Sequence, residues 1–520
     1  MSLISGLVIS QLLGIVILLA SCVYLYFKYV IFEYWRKKGV IQVEPSFPCG
    51  NLSPVVLGKL SAGELIANAY SQHKKSPFFG TYTFHKPRLV VNDPDLIRFV
   101  LTKEFAHFHD RGLYCNEEID PLSGHLFFLS GIKWKNLRGK LTPTFTSGKL
   151  KRMFSTIKDC GDHLGLYLVK HARNREEVEI KDIIARFSTD NIMSTAFGIS
   201  CNSIENPESE FRKWGRKIFE SRPIFNAIVV FAPNILDFFS IPFTDKGVNN
   251  FFTRIFKETV EYRETNNIVR NDFMDLIMQL MHKGYVDEDK NNKDDNDAKP
   301  VPITESKDGR INILEAAAQA FVFFVAGFET SSSTVAYCLY ELALHRDIQE
   351  KVRQDIDAGL QKCGGLTYES LAEMTYLHKV VSETLRKYPT VPILNRICTK
   401  DIELPGTNVV IPKGLDVMIP VLGIQRDPSI YPDPDKFDPE RFNEENIAAR
   451  HAYTYLPFGE GPRICIGMRF GYAQVKVALI SVLTRYRCKP GPKTPEKLIM
   501  DPGNFILQAK GGIHLVIEPR

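Results

Sequence analysis

The segment Phe458-Gly459-Glu460-Gly461-Pro462-Arg463-Ile464-Cys465-Ile466-Gly467 is the strongest chemical signal in the chain. Its five fixed positions, F-x-x-G-x-R-x-C-x-G, would coincide by chance in a chain this long with a probability on the order of one in ten thousand. Gly461 and Gly467 let the backbone turn sharply and approach a flat ligand, and Arg463 offers a charge-assisted donor to a carboxylate. A helical pattern resumes after Cys465, so amide groups at a helix start can donate to the sulfur. Those features favour a thiolate over a thiol, and a thiolate ligates metal.

Three further sets of residues could serve such a site. Ile311 to His345 reads as a long helix whose centre, Ala316 to Ala326, is apolar on nearly every face, as in a helix that runs through a core. Inside it lies Ala326-Gly327-Phe328-Glu329-Thr330-Ser331, where Gly and hydroxyl residues are costly unless the helix is locally opened. The simpler alternative is that Thr330 and Ser331 bond back to the preceding turn. Glu383 and Arg386 are spaced i, i+3 on a helix that ends before Tyr388-Pro389, so they share a face and can pair. Trp134 and Arg138 stand one helical turn apart, and Arg396 follows the turn at Pro392.

Together, and in this order, these stations resemble those of the cytochrome P-450 superfamily. The phrases Glu44-Pro45-Ser46-Phe47-Pro48, Phe108-His109-Asp110-Arg111-Gly112, Asn116-Glu117-Glu118 with Asp120-Pro121-Leu122, and Leu141-Thr142-Pro143-Thr144-Phe145 resemble its insect microsomal branch, family six. The resemblance covers essentially the whole chain. It implies a mainly α fold with small β-sheets (α+β) and a long central helix over haem b. Cys465 would be the proximal iron ligand, within a loop that includes Phe458, Gly461, Arg463 and Gly467. Trp134, Arg138, Arg396 and Arg463 would meet the haem propionates. Ala326 would line an oxygen-binding groove, with Thr330 bonding dioxygen and Glu329 in an acid-alcohol pair that feeds protons through water. Glu383, Arg386 and Arg441, the last within Pro439-Glu440-Arg441-Phe442, would close a buried triad. One departure is Gln425, where relatives often carry His.

The implied reaction is RH + O2 + NADPH + H+ giving ROH, NADP+ and water, on lipophilic substrates such as plant toxins and insecticides. A thiolate ligand suits it by pushing electron density toward O–O cleavage. No G-x-G-x-x-G follows a strand and no iron-sulfur cysteine cluster occurs, so NADPH and flavins would act through a partner NADPH-cytochrome reductase, with cytochrome b5 as a second donor. Lys133, Lys135, Lys140, Lys149, Lys151 and Arg152 form a basic patch suited to an acidic flavoprotein. Two readings stay open beside it: a haem-thiolate isomerase or dehydratase, against which the intact Glu329-Thr330 pair speaks, and a non-catalytic haem-based sensor or ligand-sequestering protein.

The remaining elements position this chemistry. Leu3 to Phe27 carries no charge and is long enough to span a bilayer. Lys28, Arg36, Lys37 and Lys38 follow it, which by the positive-inside rule puts the rest of the chain in the cytosol, on the endoplasmic reticulum membrane. Tyr24, Tyr26, Tyr29, Tyr34 and Trp35 suit the interfacial belt. The absence of a basic n-region and of a cleavage site favours an uncleaved anchor over a signal peptide. The expected organisation is an anchor over 1–30, a basic, Pro-containing linker over 31–50 with a stiff hinge at Glu44 to Pro48, and one catalytic domain over 51–520. Within that domain 286–310, polar and charge-dense, reads as a mobile surface loop. Ten scattered cysteines without C-x-x-C indicate neither a disulfide framework nor a zinc site, and a net charge of +5 is too weak and dispersed for nucleic acid. Substrate preference would be set by Phe105 to Phe128, Phe225 to Phe239, Phe321 to Phe324, Val391 to Leu394 and Asn504-Phe505, an aromatic-rich set.

Overall fold

The apolar N-terminal run forms helix α1 (Ser2–Tyr26), in a computed structural model that describes residues 2–220, 233–287 and 309–520. Phe225, part of the expected substrate region, and 288–308, most of the expected mobile loop, lie outside the described residues. From Val8 the helical stretch runs to Lys37, 30 residues with none of its apolar window buried, long enough to cross a bilayer. The basic collar and the expected hinge then lie against a sheet. Trp35 is 1% exposed, its indole N–H donates to the Thr81 carbonyl at 3.2 Å, and Gly80 and Ile41 are joined by a backbone bond of 2.8 Å. A Cβ at Gly80 would lie 2.2 Å from the Trp35 ring, so glycine makes the indole's seat. Trp35 is thus a core residue and not an interfacial one, because its ring and its N–H are both satisfied by the sheet.

The elements that frame the site follow in order: α2 (Ala62–His73), β1 (Phe78–Thr83), β2 (Lys86–Val91), α3 (Gly131–Leu141), α4 (Ser147–Arg173), β3 (Glu177–Glu179), α5 (Ile180–Ile192), α6 (Glu210–Ile218), α7 (Lys246–Thr265), α8 (Phe273–His282), α9 (Ile313–Leu344), α10 (Thr375–Lys387), β4 (Leu394–Ile397), β5 (Ile402–Glu403), β6 (Val410–Ile411), β7 (Asp416–Ile419), α11 (Met468–Leu483), β8 (Tyr486–Pro490) and β9 (His514–Pro519). Among the described residues the fold is mainly helical with three small sheets of order β1-β2-β7-β4, β3-β9-β8 and β5-β6. All strand pairs are antiparallel except β2 with β7.

Local chemistry sets the element ends. β1 and β2 form a hairpin that turns at Phe84, in the left-handed region at φ +53, and Lys86-Pro87 opens β2. Asp93 caps the next helix by accepting from Leu96 N at 2.9 Å. α7 starts at Lys246, where the Asp245 carboxylate accepts from the amides of Gly247 and Val248. Asn312 and Glu315 form a reciprocal capping box at the start of α9. α9 is the structural axis: Ala316 to Phe321 are buried, and it packs on α5, α7, α11 and β8.

Candidate functional site

Cys465 stands between a 3-10 turn (Gly461–Arg463) and α11. Its amide donates to the Phe458 carbonyl at 2.9 Å, which closes the loop at its neck. Gly461 has φ +74, and a Cβ there would lie 2.0 Å from the Leu101 carbonyl oxygen, so only glycine fits. Gly467 departs from expectation: its φ is −91 and a Cβ would meet only Phe145, at 3.9 Å. Neither the turn nor the protein's packing requires glycine there. What Gly467 contributes is its N–H, which donates to the Cys465 sulfur. Burial pushes the Cys465 thiol up, and this amide with the Arg138 and Arg111 guanidiniums pulls it down without reversing the shift. Burial thus opposes the ionised form that the amide and the two guanidiniums favour. Ionisation needs a cation on the sulfur itself.

Four guanidinium groups gather beside this cysteine. Arg463 lies flat over Trp134 at 3.9 Å and donates to the carbonyls of His109 (2.7 Å) and Leu129 (2.8 Å). Arg111 donates to the Phe127 and Arg463 carbonyls, and Arg138 is close enough to Cys465 for the two to interact. Arg396 is 2% exposed and gives one hydrogen bond to the Asn395 carbonyl, while its Nε is buried without a partner. Burial, then mutual repulsion with the neighbouring arginines, lowers Arg463 to about 9; burial alone lowers Arg396 to about 10. The carboxylate paired with this cluster is Asp110, 3.6 Å from Arg463. A buried cluster with this surplus of positive charge and an orphaned donor is built for a dianionic ligand edge, as the two propionates of a haem would supply. Arg111 was not singled out from sequence; a lone arginine in a loop carries no signal until the fold brings the other three to it.

The α9 station differs from the expectation of an opened helix. α9 runs unbroken from Ile313 to Leu344, and the Thr330 hydroxyl donates back to the Ala326 carbonyl at 2.6 Å. Gly327 is explained by packing, since a Cβ would lie 2.4 Å from Ile192 of α5. Ala326 is nonetheless exposed between the buried Phe324 and Phe328. Cys465 likewise is exposed. The two elements are tied: Gln474 of α11 donates to the Gly327 carbonyl at 3.4 Å and Phe470 meets Phe323 at 5.1 Å between centroids. The partners of the Glu329 carboxylate and of the Thr330 hydroxyl differ, and no hydrogen bond between the two side chains is seen among the described residues. The Glu329 carboxylate is held by Lys181, Gln508 and Ser333, two of which, Lys181 and Gln508, are distant in sequence and were not foreseen.

The expected triad is assembled behind the loop. Arg386 binds Glu383 through two bonds of 2.7 and 2.9 Å with both side chains fully buried, and Arg441 Nε lies 3.5 Å from Glu383. Gln425 completes the link: its amide donates to the Leu385 and Arg386 carbonyls, and its oxygen accepts from Leu456 N, two residues before Phe458. Its side chain thus joins the end of α10 to the neck of the cysteine loop.

Two expectations are narrowed. Lys149 does not belong to the basic face: it is 7% exposed, burial lowers its ammonium, and Nζ donates to the Asp287 carbonyl. Lys133 and Lys151 on that face are paired with Glu117 and Glu369. Phe323 and Phe324 pack into the core on Phe273 and Phe252, whereas Phe127 and Phe128 are half-buried beside Arg111 and His125.

Comparison with known proteins agrees with this geometry. The family model described as Cytochrome P450 matches residues 54–516. The chain is 41% identical over 522 residues to Cytochrome P450 6k1 of Blattella germanica and 42% identical over 517 residues to Probable cytochrome P450 6a14 of Drosophila melanogaster, covering 98% of each chain in both cases. It is 40% identical to Cytochrome P450 6A1 of Musca domestica over 504 residues, 95% of each chain. With its thiol loop, arginine cluster and central helix placed as described, the chain belongs to the cytochrome P450 family of haem monooxygenases, and these relatives are insect members of its family six.

Proposed function

We propose that the protein is a membrane-anchored haem-thiolate monooxygenase that inserts one oxygen atom of O2 into lipophilic substrates, plant toxins and insecticides among them. NADPH and a partner reductase supply its electrons, with cytochrome b5 as a second donor. The observation that carries this reading is Cys465 with one amide donor and the guanidiniums of Arg138 and Arg111 beside it, in a cluster that Arg463 and Arg396 complete, the last with an unpartnered buried Nε. Haem bound there supplies oxygen activation at iron, with Cys465 as its ligand. Arg111, Arg138, Arg396 and Arg463 neutralise the two propionates, and Trp134 holds the Arg463 plane in register. Thr330 offers a hydroxyl on the Ala326 face of α9, and Glu329 holds or releases a proton one position away. The Glu383-Arg386-Arg441 triad keeps the cysteine loop fixed from behind.

The exposed α1 and the lysines after it support an endoplasmic reticulum anchor with the catalytic body on the cytosolic face. The exposed part of the basic face on α3 and α4 supports reductase docking. The deciding experiment reconstitutes the full chain with reductase in lipid and screens lipophilic substrates. The expected result is a thiolate-type carbon monoxide spectrum together with products that require NADPH. Products formed without NADPH would favour the isomerase or dehydratase reading; a carbon monoxide spectrum with no NADPH use would favour the sensor.

A further inference from the structure

Between Ala316 and Ala326 the central helix carries one polar side chain, Gln319, and it is 1% exposed. A buried amide is costly unless both its ends are bonded. Gln319 finds most of its partners outside its own helix. Its Oε1 accepts from the Leu126 amide at 2.9 Å, and its Nε2 donates to the Gly124 carbonyl at 3.1 Å and to the Glu315 carbonyl at 3.0 Å. One side chain of α9 thus grips the backbone of 124–126.

The same segment holds the arginine cluster from its other side. The Leu126 carbonyl accepts from Arg463 at 3.5 Å, the Leu129 carbonyl from Arg463 at 2.8 Å and the Phe127 carbonyl from Arg111 at 3.1 Å. Arg111 in turn donates to the Arg463 carbonyl at 3.2 Å. Leu126 is the joint, with its N–H taken by α9 and its C=O by the cluster. The amides of Phe128 and Leu129 both donate to the His125 carbonyl at 3.0 Å, a tight turn that passes any displacement at Leu126 on to Phe127 and Leu129.

We infer that Gln319 is a positioning residue for the propionate-binding arginines: it fixes the 124–129 turn to α9, and the carbonyls of that turn aim Arg111 and Arg463 at an anionic haem edge. This rests on the haem reading of the cluster. Among the described residues Gln319 makes no bond to any of the four arginines, so its effect passes through the backbone of the turn. An apolar residue in its place would leave the Leu126 N–H and the Gly124 carbonyl buried without partners, and the turn free to shift.

The test uses the full-length, haem-loaded protein and measures haem transfer to excess apomyoglobin, together with hydrogen exchange of a peptide covering 124–129. Gln319→Met, of similar length but without the amide, should speed haem loss about tenfold and raise exchange in that peptide. The haem still bound should keep its thiolate-type carbon monoxide spectrum. In an Arg111→Leu background the same substitution should speed loss only about twofold, since both changes act on one turn. Tyr486→Phe deletes a buried bond of 2.6 Å between β8 and α4, controls for general destabilisation, and should leave haem loss unchanged. Unchanged haem loss in Gln319→Met, equal acceleration in Tyr486→Phe, or the full effect in the Arg111→Leu background overturns the inference. If Gln319→Met is not recovered folded, Gln319→Asn, which keeps an amide one methylene too short to reach the turn, is held to the same outcomes. Were the haem reading itself to fail, the unsubstituted chain would carry no haem to transfer. Failure of this inference alone leaves that haem in place, lost at a rate indifferent to position 319.

Discussion

Lys181 Nζ stands 2.5 Å from Glu329 Oε1, and Gln508 Nε2 stands 2.6 Å from the same oxygen. The acid beside Thr330 is therefore clamped from α5 and from the C-terminal segment. Lys181→Met removes the cation and leaves a buried carboxylate without an ion-pair partner, at a cost of about 3–5 kcal/mol. Its proton exchange then changes, and a larger fraction of the NADPH consumed should end as hydrogen peroxide, with the carbon monoxide spectrum intact. An unchanged peroxide share would show that the clamp has no part in proton delivery.

Cys465 and Thr330 are separable by spectrum. Cys465→Ala should abolish the thiolate-type carbon monoxide spectrum, since no second thiol stands within the arginine cluster among the described residues. Thr330→Ala should keep that spectrum and leak peroxide, because its hydroxyl is bonded only to the Ala326 carbonyl of its own helix. A normal spectrum in the first variant would contradict the assigned ligand.

The two glycines of the cysteine loop predict opposite outcomes. Gly461→Ala combines a left-handed backbone with a contact of 2.0 Å to a carbonyl oxygen, and thermal denaturation should register a loss of about 3 kcal/mol or more. Gly467→Ala meets only Phe145 at 3.9 Å and should leave the stability of the haem-free chain unchanged. If Gly467→Ala lowers haem uptake at constant stability, the residue keeps clearance for a bound group; equal uptake would remove that role.

His125 gives a pH signature. Burial lowers its imidazole to about 3, so the folded state binds its proton far less readily than the unfolded chain, whose value is near 6.5. Its contribution to stability is thus fully present above about pH 6.5 and declines as pH falls toward 3. Between pH 7.5 and 5 the native protein should lose about 2 kcal/mol relative to His125→Leu in paired denaturation curves. Parallel curves would mean that His125 reaches solvent in the folded state.

The sequence by itself carried the candidate thiol Cys465, the long buried helix α9 and the partnership of Glu383 with Arg386. Each is written within a few neighbouring positions: F-x-x-G-x-R-x-C-x-G, a stretch apolar on every face, and an i, i+3 pair. Pattern also located α1, because length and absence of charge are local properties. Tertiary structure alone decided what stands around them. Arg111 joins Arg138, Arg396 and Arg463, Gln425 bridges α10 to the cysteine loop, and Lys181 with Gln508 clamps Glu329. These contacts span tens to hundreds of residues, and an isolated Arg, Gln or Lys has no local pattern that tells a solvated side chain from a buried one. Gly467 and Lys149 fail in the other direction, since a residue type that suits a role does not decide which way the backbone or side chain faces. Direction is set by packing, which one sequence does not encode position by position.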